Sequence, residues 1–330
     1  MPHAWVSTLT LSAANRQGLE PMRSLAPSHL TGAAFATLLL TAFMMGANHV
    51  AARTAFNHGL DVLTAVTVRS MVTAGVVALI LWQQKVALQV LPRQRKYLVA
   101  VGLLIAVQSV CLYAAVARLP VALALLAFNT YPLTTALWAR ILYGHKPERT
   151  LLMAMPVMML GLALALDVFG AASGLGTARH WGQIGMGVVF ALIASVAFGL
   201  ALVLTQHETV GVDGRLRTFT SLSIVGVLTA LLASTQGGFQ WPQAQPGWWG
   251  LVMLTLLYGT AFTIMFTVLP KLGVVGNSAI MNAEPVFALV LAWFLLGQSI
   301  SPVQLVGAAV VVCTVLWLGL HKPKLNPAGP

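Results

Sequence analysis

The most regular feature of the chain is a succession of long apolar stretches separated by short polar links. A helix crossing the hydrocarbon of a bilayer needs about 20 predominantly apolar residues. Ten stretches meet that requirement: about 31–52, 62–83, 97–117, 121–143, 151–169, 183–205, 217–235, 247–269, 275–296 and 303–320. None shows the period-two alternation of a half-buried strand. Some links are very short, notably Arg118-Leu119-Pro120 and Gln298-Ser299-Ile300-Ser301-Pro302, so the helices they join must be antiparallel neighbours. The pattern predicts an all-α membrane protein of ten transmembrane helices.

Composition agrees: 58% of the 330 residues are hydrophobic and 8% charged, with a mean hydropathy of +0.85. A soluble domain is about one-quarter charged, so this chain lacks the polar surface to face water all round. The net charge of +11 does not point to nucleic acid, because the basic residues are not gathered into one patch with interleaved aromatics. They mark orientation instead. With the N-terminus placed inside, 14 of the 18 Lys and Arg fall on the cytoplasmic side and only Arg53, Arg118 and Arg179 on the other, with Arg69 inside a span. Basic residues prefer cytoplasmic loops, so both termini are expected in the cytoplasm. Trp181, Trp241, Trp248 and Trp249 fall at the opposite ends, as an interfacial belt requires.

Residues 1–30 lack the order of a secretory signal and read as a cytoplasmic tail, with a second short tail at 321–330. Cys111 and Cys313 both lie in apolar runs and read as small buried hydrophobes; no metal-ligand spacing accompanies them. Neither a metal nor a cofactor is expected. Phosphate loops, His-Glu-x-x-His and Gly-x-Ser-x-Gly are absent from the sequence, which argues against an enzyme.

An internal repeat organises the spans. Asn129 and Pro132 in Leu-Leu-Ala-Phe-Asn-Thr-Tyr-Pro-Leu (125–133) are matched by Asn282 and Pro285 in Ala-Ile-Met-Asn-Ala-Glu-Pro-Val (279–286), an offset of 153. The same offset relates Gly46 to Gly199, Tyr113 to Phe266 and Gly144 to Gly297. Two five-helix halves follow, 31–169 and 183–320, joined by a loop at 170–182. Five is odd, so the second half enters the bilayer from the opposite side. Inverted repeats characterise transporters that bind substrate at the repeat interface and alternate its access.

Leu119-Pro120 followed by Asn129-x-x-Pro132, and Glu284-Pro285-Val286-Phe287-Ala288 running to Leu295-Leu296-Gly297-Gln298, resemble the two copies of the EamA-type domain of the drug/metabolite transporter (DMT) superfamily. The chain looks most similar to bacterial YddG-type exporters of aromatic and other neutral amino acids. The resemblance covers about 31–320 and implies ten helices, export across the inner membrane and a central cavity lined by both halves. The family commonly carries Glu where this chain has Gln298, so no role for that acid is transferred.

Polar groups at membrane depth usually face a cavity or a partner. Glu284, just before the helix-bending Pro285, could bind a substrate ammonium, accept a proton, or simply satisfy backbone freed by the proline. Asn129 and Asn282 could repair the broken helices beside the hinge prolines Pro132 and Pro285, or hold polar substrate atoms. Tyr131, the repeat mate of Glu284, could add an aromatic face. Asn48 and the titratable His49 lie toward the outer end of the first span, while Tyr113, Trp138, Tyr258 and Trp293 could stack on a planar substrate. Arg69 could pair with a substrate carboxylate, but snorkelling toward lipid phosphates or Asp61 is the favoured reading. The partners expected are a small-molecule substrate and membrane lipids, with protons as a candidate coupling ion. Aromatic or neutral amino acids are the leading cargo; a drug, nucleobase or sugar derivative, a membrane-embedded enzyme and a channel are the alternatives.

Overall fold

A computed structural model describes residues 32–86, 90–145, 149–167, 177–267, 283–298 and 300–320. Among the described residues the regular structure is helical: α1 (Gly32–Asn57), α2 (Val62–Gln83), α3 (Pro92–Val116), α4 (Val121–Phe128), α5 (Tyr131–Tyr143), α6 (Arg149–Ala165), α7 (Thr177–Glu208), α8 (Gly214–Thr235), α9 (Gln245–Thr267), α10 (Glu284–Leu296) and α11 (Pro302–Leu320). Seven helical stretches are long and apolar enough to cross a membrane, α4 and α5 counting together as one. Three more, Leu152–Ala165, Glu284–Leu296 and Pro302–Thr314, are apolar but shorter. Large apolar side chains such as Trp82, Phe294, Leu295 and Leu160 stand exposed on the outside of the bundle. That much bare apolar surface on a water-soluble monomer would be an aggregation liability; here it is the surface that meets lipid.

Element ends follow local chemistry. Helix α1 continues to Asn57, past the expected limit at 52, because the charge of Arg53 does not stop it. The Arg53 guanidinium donates to the carbonyl of Val116 at 2.7 Å, satisfying an orphan acceptor at the end of α3. Asp61 caps α2 by accepting from the backbone N–H of Leu63 and Thr64, and Asp213 caps α8 through Arg215 N–H. The fourth expected span is divided. Pro132 has no N–H to donate to Phe128, and its ring crowds that carbonyl, so α4 stops at Phe128 and α5 begins at Tyr131. Asn129 Nδ2 and Thr130 Oγ1 bond to the carbonyls of Leu125 and Ala127, repairing the break from within.

Helices of the two halves pair in a pattern that survives exchange of the halves. Helix α3 packs on α7 and α1 on α9; α3 meets α8 and α2 meets α9; α5 lies on α7 and α10 on α1. The remaining large contacts, α2 on α8 and α6 on α11, join an element to its own mate. Those mates run antiparallel. At one end Asp61, before α2, receives a hydrogen bond from Gln240 after α8; at the other, Arg215 at the start of α8 bonds Gln84 after α2. Likewise α5 finishes beside Glu208 and Arg93, whereas Gln298, just past its mate α10, reaches Val121 at the opposite end of the bundle. The halves are therefore inverted.

The repeat offset is repeated in atomic detail. A Cβ on Gly46 would lie 3.0 Å from Ala288 N, and one on Gly199 would lie 2.8 Å from Thr135 N. Residues 135 and 288 are themselves mates, so both glycines allow the same helix crossing in the two halves. Gly144 and Gly297 both take left-handed φ, +69° and +62°, as C-caps of α5 and α10, a conformation that glycine adopts without steric cost. Asn282 and the side chain of Phe266 lie outside the described residues.

One end of the bundle carries Lys85, Arg93, Arg95, Lys96, Arg215 and Arg217 together with His145 and His207. At the other end Trp241 stacks on Trp248, with ring centroids 5.8 Å apart.

Candidate functional site

Five helices bring their polar side chains to one place inside the bundle. From the first half come Asn48 and His49 on α1, Arg69 on α2 and Tyr113 on α3; from the second come Tyr258 on α9 and Glu284 at the start of α10. All but Glu284 are buried. His49 sits about 12 Å along the axis from the Asn57 end of α1, and Arg69 about 10 Å from the start of α2, at 1.5 Å per residue. Both groups thus lie well within the apolar length of their helices.

The cluster is held by short contacts. His49 Nε2 lies 3.1 Å from Glu284 Oε1. The Tyr113 hydroxyl donates to Asn48 Oδ1 at 2.8 Å, and its ring lies 5.6 Å from that of His49. The Arg69 guanidinium carbon is 4.2 Å from the centre of the Tyr113 ring and 4.0 Å from that of Tyr258. Each cation–π contact in a desolvated site contributes about 2 kcal/mol, so the two offset much of the cost of removing this cation from water. Among the described residues no carboxylate lies within ion-pair distance of Arg69. Among the described residues five buried polar atoms on α1 and α2 are without a hydrogen-bond partner: Asn48 Nδ2, His49 Nδ1, Arg69 Nε and Ser70 Oγ near the cluster, and Arg53 Nε farther along α1.

The equivalent crossing in the other half is built differently. There Tyr131, the mate of Glu284, packs against Phe128 and Phe198 with ring centres 5.6 and 5.1 Å away. Thr130 Oγ1 meets Ser195 Oγ at 2.9 Å, and Thr134 Oγ1 donates to the Ser195 carbonyl. Tyr131 is also within electrostatic reach of Glu284.

The structure thus gathers Asn48, His49, Tyr113, Tyr258 and Glu284 into one cluster, with Tyr131 nearby. Asn129 is buried, and its amide is used in repairing the α4–α5 break. Trp138 donates its indole N–H to the Val196 carbonyl, tying α5 to α7 away from the charged groups. Trp293 is not part of the site: it is 65% exposed on the outer face of α10, because that helix is apolar all round and presents this side to lipid. Pro285 occupies the first turn of α10 as Pro132 does in α5. Asn282 falls outside the described residues.

Arg69 departs most from expectation. It does not snorkel; it is 3% exposed, since the two tyrosine rings offer its cation a closer partner than the membrane surface does. The sequence contained one signal for this, an arginine inside a span with tyrosines in other spans. Phe128, Phe198, Thr130 and Ser195 carried no such signal. Among the described residues, no group of three or more His, Cys, Asp or Glu could hold a metal ion.

Comparison with known proteins places this architecture. No curated protein matches the chain. Fourteen chains of solved structures match; one, titled only as the crystal structure of a protein, aligns with a TM-score of 0.58 and 18% identity over 86% of this chain and 96% of its own. That likeness concerns the fold alone. The family model described as the EamA-like transporter family matches twice, over residues 32–166 and 185–320. With both copies present and most of its length covered, the chain belongs to the EamA-like transporter family.

Proposed function

We propose that the chain is an alternating-access exporter of small amphipathic metabolites, with aromatic or neutral amino acids as its substrates. It would work in the bacterial inner membrane as ten spans with both termini cytoplasmic. The observation that carries this reading is the buried cluster around His49 and Glu284, which draws its side chains from both inverted halves. Charged groups inside a membrane bundle are costly and mark substrate or ion pathways, and inverted repeats place such sites at their interface. The concentration of basic residues at one end supports the orientation.

In this reading a substrate ammonium approaches Glu284, while Tyr113, Tyr258 and Tyr131 offer faces to the apolar side chain. His49 shares the Glu284 carboxylate, so a proton on that pair competes with the ammonium. Such competition is a simple way to link transport to protons. The crossings at Gly46 and Gly199 are the two equivalent joints about which the halves rearrange, one opening as the other closes.

The test is purified protein in liposomes loaded with labelled phenylalanine, tryptophan or threonine. Saturable counterflow of at least one is expected. Flux that rises linearly with concentration would identify a channel, and exchange of another solute with none of the amino acids would replace the substrate assignment.

A further inference from the structure

We infer that Arg69 is the carboxylate anchor of the substrate site, so that the ligand must carry a planar anionic group. The inference rests on the transporter reading and adds a chemical requirement that the reading does not contain.

Three observations converge on it. First, the guanidinium lies between two tyrosine rings, at 4.2 and 4.0 Å from their centres. Aromatic rings hold the cation by its charge, and guanidinium N–H groups are what grips a carboxylate by paired hydrogen bonds. Second, the site has unmet hydrogen-bonding capacity: among the described residues Arg69 Nε is buried without a partner, as are Asn48 Nδ2 and His49 Nδ1 close by. These belong to neighbouring side chains, for Tyr113 touches all three residues. Third, Arg69 has no carboxylate within ion-pair distance among the described residues, since Glu284 pairs with His49 instead. A buried cation held between aromatic rings and unmatched by a carboxylate is completed by an anion from outside the chain.

The arrangement also orders the ligand. A carboxylate on Arg69 and Asn48 Nδ2 leaves an α-ammonium to face Glu284, the one acidic group in the cluster. Zwitterions and simple carboxylates therefore fit, whereas amines without a carboxylate do not. A bidentate arginine and a point-charge lysine differ most at such a site.

The test uses the full-length protein and matched ligands: phenylalanine against phenylalanine amide, threonine against threonine amide, with 3-phenyllactate and phenethylamine as single-charge probes. Thermal stabilisation of the detergent-purified protein reports binding, and counterflow in liposomes reports transport. Each carboxylate is expected to act at a concentration at least about 10-fold lower than its amide. In R69K the acid should weaken by about 10- to 100-fold while the amide is unchanged, closing the gap. R69Q gives the same comparison where it folds, and R69K, which keeps the cation, serves where it does not. Equal potency of acid and amide in the unmodified protein would overturn the inference, as would an R69K variant that keeps full affinity for the acid. Binding of 3-phenyllactate but of no amino acid would support Arg69 as the anchor while rejecting the amino-acid cargo. Saturable counterflow of phenethylamine, indifferent to Arg69, would leave a transporter standing and remove the anchor.

Discussion

The crossing of α1 with α10 and that of α7 with α5 share one backbone plan and opposite chemistries. In each, a glycine (Gly46 or Gly199) admits the first turn of a proline-led helix to a Cβ distance of about 3 Å. At the first crossing the neighbouring side chains are His49 and Glu284, a titratable pair 3.1 Å apart. At the second they are Tyr131, Phe128, Phe198 and a Thr130–Ser195 hydroxyl pair. Symmetry is therefore kept in the backbone crossing and abandoned in the side chains beside it. A transporter that must visit two mirrored states needs equivalent joints, but a single asymmetric substrate needs only one charged site.

That contrast can be broken or sharpened by substitution. The largest effect is expected from Glu284→Gln, which should lower amino-acid counterflow by about 10- to 100-fold, or about 1.4–2.8 kcal/mol at 1.4 kcal/mol per decade, in protein that still elutes as a single species. Tyr131→Phe, at the mate position, should change the same flux by less than about threefold. Equal losses at both positions would mean that the second crossing also recognises substrate. Next come Gly46→Ala and Gly199→Ala, where the added methyl meets helix backbone. Overpacking of this kind costs about 1–3 kcal/mol, so both should lower the melting temperature by several degrees. Only Gly46→Ala should also shift substrate affinity, because it displaces Glu284. A smaller effect is expected from Thr229→Val, which removes the 2.8 Å bond from Thr67 between α2 and α8. Interhelical hydrogen bonds in membranes average about 0.6 kcal/mol, so this change should lower the melting temperature slightly and leave transport intact. The smallest concerns Asp213, whose bonds from Arg215 hold its carboxyl below the usual carboxylate range. A depressed carboxyl contributes stability above its unfolded value and loses it as pH falls through the folded one. Asp213→Asn should thus differ from the unmodified protein at neutral pH and converge with it under strongly acidic conditions.

The apolar helices and the repeat were legible because both rest on local chain properties. Twenty apolar residues announce a crossing, and Pro132 announces a broken helix whatever surrounds it. Gly144 and Gly297 could be paired from the sequence, and their shared left-handed conformation follows from their place at helix ends. The fate of Arg69 was not legible. Snorkelling and burial differ in which partners arrive from other helices, and Tyr258 is nearly two hundred residues away. Trp293 shows the same limit in a different form. Helix α10 has apolar residues on every side, so no periodicity marks the face that turns inward. The first span was expected to end at about 52, whereas α1 runs on through Arg53, whose guanidinium finds the carbonyls of Val116 and Leu119.

The setting of Arg69 also bears on how the protein is made. Helix α2 carries an arginine whose insertion costs about 2.5–3.5 kcal/mol at the middle of a helix. One of its tyrosines, Tyr113, follows within the same half, but Tyr258 is synthesised with the second half. Until α9 enters the bilayer the cation is covered on a single face. The first half is thus an incomplete folding unit, expected to stay loose or held by insertion factors until the second half arrives. The buried charge of Arg69 thus makes the first half depend on the second for its assembly.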